Sequence, residues 1–175
     1  PVQAANVYVL SSGDTNIAAG VQATLEDFGH TVLMGVKASE FHSGAALEGY
    51  EAVLFLYNRN YPNRMPNDGQ TELQTYVLNG GGLVTGEWLI YSNPSILRGV
   101  LPATPSGYNS ASPITYSAAQ ADQTLNAYLP ASFQFQADTI GGTETRLQPK
   151  TGATVFYQSD NLGVGVVGWE QSAGR

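Results

Sequence analysis

A carboxylate and an indole stand at the end of a short apolar run, Gly80-Gly81-Gly82-Leu83-Val84-Thr85-Gly86-Glu87-Trp88. The run reads as a glycine turn, a buried strand and a sharp exit, and open α/β sheets bind ligands at the carboxyl ends of their strands. Glu87 in that place can act as a general base or ligate a cation, helped by His42 or Glu40 from the loop after the second strand. Glu40 and His42 alone make no metal site; Asp14 or Glu87 would have to complete one. The competing reading of Glu87 is structural. A carboxylate that meets backbone N–H groups at a helix start is favoured by roughly 0.3–1 kcal/mol, and this reading is preferred. Thr85 is the one hydroxyl near the tip, and the chain has no cysteine. Neither a Cys nor a Ser beside a base is therefore available for nucleophilic chemistry there.

A second group of candidates lies in the loop Tyr57-Asn58-Arg59-Asn60-Tyr61-Pro62-Asn63-Arg64. Tyr and Arg are enriched in binding hot spots and Asn supplies adaptable hydrogen bonds, although a polar surface loop would have the same composition. The candidate ligand contacts are Asp14, Tyr57, Arg59, Tyr61, Glu87 and Trp88. Glu87 and His42 are the candidates for catalysis, and no metal set is expected.

These residues must be held by an alternating α/β framework. Val7–Leu10 is a short apolar strand, and Ile17, Val21, Leu25 and Phe28 recur at helical spacing over 16–28. Asp14 or Thr15 can cap that helix and Gly29 can end it. Thr31–Met34 and Ala52–Leu56 are the next strands, the latter continuously apolar as in a sheet covered on both faces. Asn67 with Gln70 resembles a capping box for a helix through Leu78, and Leu83–Thr85 is the fourth strand. The strand–helix–strand order predicts parallel neighbours joined by right-handed crossovers. The expected core contains Val9, Leu25, Phe28, Val53, Leu54, Leu73, Val77 and Val84. A short helix is expected from Pro94 to about Val100. Residues 103–121 have weak periodicity, while Phe133–Gln136, Thr154–Gln158 and Val164–Trp169 read as strands.

The 175-residue length suits one domain. Charged residues make up 12%, about half the usual share, so Asn, Gln, Ser, Thr, Tyr and Gly must cover the surface. A net charge of −7 without a basic stripe excludes nucleic acid as a partner. No apolar run approaches the roughly 20 residues of a membrane span. Low lysine, absent cysteine and a hydroxyl- and amide-rich surface point to an extracellular, cell-surface or periplasmic bacterial protein.

The stretch "VLFLYNRNYPNRMPNDGQTELQTYVLNGGGLVTGEW" resembles the middle of class I glutamine-amidotransferase-like domains, nearest the trehalose-utilisation-like branch. "LPASFQF" and "LQPKTGATVFYQSDNLGVGVVGWEQSAGR" resemble the latter part of such domains, where a "gaGR" turn leads into the last sheet strand. The resemblance implies a three-layer α/β sandwich with a mainly parallel, flavodoxin-like sheet and a β-rich C-terminal part. It also implies that 1–175 is one domain, a fragment of a longer chain. In that family the elbow holds a Cys partnered by a downstream His and Glu. Here the position falls on about Glu87, and His30 and His42 both lie upstream, so glutaminase activity is not expected. Ser11–Asn16 is similar to the phosphate loop of flavodoxins, but Asp14 would repel a phosphate; no cofactor is expected, and flavin binding is the third alternative.

Two function classes follow. One is a non-catalytic ligand- or protein-binding or structural domain, whose partners are other domains of a parent protein or a separate protein, with a small polar ligand. The other is a hydrolase or lyase acting on a small polar or sugar-like substrate with Glu87 as base. Asp14, His42 and Glu87 gathered within hydrogen-bond reach would favour the enzyme.

Overall fold

The four apolar runs of the first hundred residues form one parallel sheet. The strands are β1 (Asn6–Ser11), β2 (Thr31–Lys37), β3 (Ala52–Leu56) and β4 (Gly82–Thr85), in the order β2-β1-β3-β4. The computed structural model describes residues 3–13, 15–57, 64–119, 129–136, 143–161 and 163–170, with only the backbone of Thr15 and Asn16. Helix α1 (Thr15–Asp27) links β1 to β2, and α2 (Asn67–Leu78) links β3 to β4. These two connections run in opposite directions across the sheet, so right-handed crossovers put α1 and α2 on opposite faces. The chain divides into two compact units, built on Pro1–Val100 and Leu101–Glu170.

Packing in the first unit is deepest under β3. Val53, Phe55 and Tyr57 alternate onto one face and are 0%, 0% and 7% exposed. Leu73 and Val77 of α2 are buried as well. Strand β1 buries Val7 through Leu10 without interruption, as a central parallel strand must. Two core expectations fail. Phe28 is 67% exposed, because the buried stripe of α1 runs through Ala18, one residue round the helix from the line joining Ile17 to Phe28. Val84 is 60% exposed. It pairs with Leu54, which pairs through β1 with Val9. That sheet face is closed over β1 and opens towards the β4 edge, leaving Leu54 only half-buried.

Helix ends follow the glycines. Gly29 (φ 88°) closes α1: its N–H donates to Glu26 O, and His30 N–H reaches back to Leu25 O. Gly80 (φ 109°) and Gly81 repeat the pattern on Val77 O and Tyr76 O of α2. Both are Schellman closures, which need a left-handed residue after the helix. The capping box expected of Asn67 and Gln70 does not form. Pro66 is the N-cap of α2 and Asn67 is already helical. Gln70 instead donates from Nε2 to Met65 O at 3.0 Å and accepts Ile96 N–H at 3.1 Å. The caps expected at Asp14 or Thr15 lie outside the described side chains.

Beyond α3 (Glu87–Tyr91), the second unit is antiparallel β. Strands β5 (Ala103–Asn109) and β8 (Glu144–Pro149) pair with each other. Strands β6 (Ile114–Ala118), β7 (Ser132–Phe135), β9 (Thr154–Ser159) and β10 (Val166–Gly168) form a sheet in the order β10-β9-β6-β7. Ile114, Tyr116 and Tyr157 form its core, with Phe133, Phe156 and Val166 packed against them. Strands β5 and β6 fall where the sequence pattern is weak. Pro105 and Gly107 (φ 132°) break the alternation of β5, and its pairing shifts register between Pro105 and Tyr108. The expected helix after Pro94 is a single 3₁₀ turn, Leu97–Gly99. No helix among the described residues is long and apolar enough to cross a membrane.

Candidate functional site

Strand β4 ends in a sharp turn. Thr85 Oγ1 donates to Phe55 O at 3.0 Å, tying the end of β4 to β3. Gly86 is the N-cap of α3, and Glu87 is its first residue, half-buried. Leu89 and Ile90 are 2% and 5% exposed and anchor this short helix. Trp88 is half-buried, with its ring edge-on to Tyr91 at 5.3 Å. Ser92 Oγ donates to Leu89 O at 2.7 Å, and Asn93 follows in the left-handed region (φ 48°) to reverse the chain.

That reversal shapes a cleft of about 370 Å³ at the carboxyl end of β3. Its apolar lining comes from Phe55, Leu89 and Leu97, with the Tyr57 ring edge-on to Phe55 at 5.8 Å. Arg64, Asn67 and Ser95 form a polar rim, where Ser95 Oγ donates to Asn67 Oδ1 at 3.3 Å. Gln70, 6% exposed, crosses beneath the rim and holds the chain on either side through Met65 and Ile96. An apolar floor with a few convergent polar groups is the usual constitution of a small-molecule site. A larger hollow of about 490 Å³, edged by Glu48, Glu51 and Glu72, opens among the residues that precede β3 and β4. It lies at the amino ends of the strands, the end that α/β sheets do not ordinarily use for ligands.

His42 is placed by close docking of its loop on α2. A Cβ on Gly69 would stand 2.0 Å from Phe41 O, so only glycine admits the contact. Gly44 N–H donates to Glu72 Oε2 at 3.1 Å farther along. Between these contacts His42 Nδ1 meets Asp68 Oδ2 at 2.8 Å, with both side chains more than half exposed. The hydrogen bond from His42, then that from Gly69 N–H, holds the Asp68 carboxyl below its usual range. Asp68 was not singled out in the sequence. Its position one residue into the helix was the available signal, since acidic residues favour a first turn.

Among the other sequence candidates, Tyr57 lines the cleft, while Glu87 and Trp88 stand at the adjoining elbow. Asp14, Arg59 and Tyr61 lie outside the described residues. Asn67, read in the sequence only as a helix-start residue, belongs to the cleft, as do Asn93 and Ser95, which the sequence did not single out. Among the described residues, no group of three or more His, Cys, Asp or Glu could hold a metal ion.

No family model matches the chain, and no curated protein matches it in sequence. Solved structures do match its fold. A ThuA-like protein from Bacteroides uniformis has 13% identity and a TM-score of 0.67, over 97% of this chain and 76% of that one. A glutamine amidotransferase from Thermotoga maritima has 8% identity and a TM-score of 0.61, over 97% of this chain and 73% of that one. An exo-β-1,4-mannosidase from Opitutaceae bacterium strain TAV5 has 15% identity and a TM-score of 0.64; 98% of this chain corresponds to 30% of that one. At these identities the likeness is one of fold, and the fold is the glutamine-amidotransferase-like α/β sandwich.

Proposed function

We propose that this chain is a non-catalytic recognition domain of a larger exported or surface bacterial protein, and that the cleft beside its elbow binds a small, polar, sugar-like ligand. The cleft carries the reading. Its rim offers donors and acceptors on Asn67 and Ser95, and the Tyr57 ring, braced edge-on by the fully buried Phe55, lines it beside them, a pairing that suits the hydroxylated edges and apolar faces of a sugar. Around it the means of covalent chemistry are sparse. The Thr85 hydroxyl donates to the backbone of β3, and the chain has no cysteine to serve at the elbow. The mannosidase neighbour supports the setting, because there a fold like this one occupies 30% of a larger carbohydrate-acting protein.

Calorimetric titration with β-1,4-mannobiose and a panel of neutral disaccharides tests this directly. Binding without turnover is expected, weakened at least about tenfold by Asn67→Ala, a loss of about 1.4 kcal/mol. Hydrolysis of any member of the panel by the purified chain would contradict it.

The second reading, a hydrolase or lyase with Glu87 as base, draws on one feature. The His42–Asp68 pair orients an imidazole as acid–base catalysis requires. That reading requires loss of turnover in both Glu87→Gln and His42→Gln.

A further inference from the structure

The second unit is built from two sheets, and a buried side chain bonds across them. Glu144 opens β8, the partner of β5, and is 1% exposed. Its Oε2 accepts the Ser159 hydroxyl of β9 at 2.9 Å. Ser159 and Tyr116 are paired neighbours on β9 and β6, so their side chains leave the same face of that sheet. Both are buried, and both hydroxyls bear on the Glu144 carboxyl. Ser159 Oγ also accepts Asn161 N–H at 3.1 Å, which steadies the hydroxyl that Glu144 receives. The contact therefore joins β8 to β9 and β6.

Nothing on the described residues compensates a negative charge at this carboxyl. The groups that act on Glu144 are Ser159 of β9, Tyr116 of β6 and Asp160 just beyond β9, and none is a cation. Its partner on β5 is the uncharged Asn109, and Arg146, two residues along β8, is exposed to solvent. A carboxylate so placed has lost its hydration without gaining a counter-charge, which favours the protonated acid. Burial accordingly pushes Glu144 up from the ordinary carboxylate range. The two hydroxyls draw it back only in part, and the charge of Asp160 adds to the rise.

We infer that Glu144 is a pH-sensitive latch between the two sheets of this unit, closed while it carries its proton and released when it ionises. As an acid it holds Ser159 with no charge to hydrate. As a carboxylate it is drawn towards water, and reaching water requires β8 to part from β9. Opening returns the group to its ordinary range, so the latch holds fully below that range. It loses hold as pH rises through the raised value, its opening constant growing by at most about tenfold per pH unit. The latch is independent of the cleft and of the function proposed for it.

Carboxyl NMR of the whole chain tests the first half of this claim. Glu144 should titrate above the ordinary carboxylate range, its signal identified by its loss in Glu144→Gln. The glutamine keeps the shape and the Ser159 contact and stays uncharged at every pH. Amide exchange then reads the latch itself. Protection of β8 and β9 should be equal in the two proteins in acid. It should become greater in the variant as pH rises through the native titration, and the excess should then level off. Ser159→Ala removes a donor that favours the charged form, so it should move the Glu144 titration still higher. That variant decides the matter if the glutamine variant fails to fold, with circular dichroism reporting the fold of each. A Glu144 titration within the ordinary range, one unmoved in Ser159→Ala, or equal β8 and β9 protection in the native chain and Glu144→Gln at every pH overturns the latch.

Discussion

Thr85 and Glu87 behave as different kinds of residue, and substitution separates them. Thr85 Oγ1 donates to a strand carbonyl, so Thr85→Val should destabilise the fold by about 0.5–1.5 kcal/mol, the net worth of one hydrogen bond, as read by urea denaturation. Glu87→Gln keeps shape and hydrogen bonding and should leave folding nearly unchanged. Two titrations follow from the geometry. The hydroxyl of Tyr76 donates to Tyr50 O at 2.9 Å, and burial, then the charge of Glu51, pushes it up to about 12. A raised folded value favours the neutral form, so the associated stability is complete below about pH 10 and is lost as pH rises towards 12. Absorbance titration of tyrosinate should lose that late-titrating group in Tyr76→Phe. Asp68 shifts the opposite way, so its contribution is present above the ordinary carboxylate range and is lost as pH falls through its lowered value. His42→Gln should return Asp68 towards the ordinary range, as followed by carboxyl NMR.

At the scale of elements, strand alternation decides what matters. Phe55 is 0% exposed on the packed face of β3, so Phe55→Ala should cost about 3–5 kcal/mol. Leu54 on the other face is only half-buried and should cost less than Phe55; denaturant midpoints would reverse that order if the faces were wrongly assigned. Gly69→Ala should cost about 1–3 kcal/mol from overpacking against Phe41 O and should release His42 from Asp68, visible as a shifted imidazole resonance. The four parallel strands and both long helices were legible because apolar runs and helical spacing are local signals. Exposure of Phe28 and Val84 was not, since a pattern identifies a face without saying what covers it. Strands β5 and β8 escaped notice for another reason. Pro105 and Gly107 interrupt one, and buried Glu144 and Thr145 give the other a polar appearance.

For the molecule as a whole, the elbow was readable from Gly80 to Trp88, but the cleft beside it was not. Its walls come from chain segments apart in sequence, near Tyr57, Asn67 and Ser95, and only folding shows that they meet. His42 illustrates the same limit: sequence offered Glu87 or Asp14 as companions, and the bond it makes is to Asp68. Low charge, a net −7 and a polar surface fit a recognition domain working among uncharged ligands. The most direct test is an amide-resolved NMR titration of the whole chain with β-1,4-mannobiose, followed by the same titration of Asn67→Ala. Recognition at the cleft predicts saturable shifts at Tyr57, Asn67, Asn93 and Ser95, an unchanged sugar spectrum, and loss of those shifts in the variant. Cleavage of the disaccharide, or shifts that bypass these residues, would contradict it.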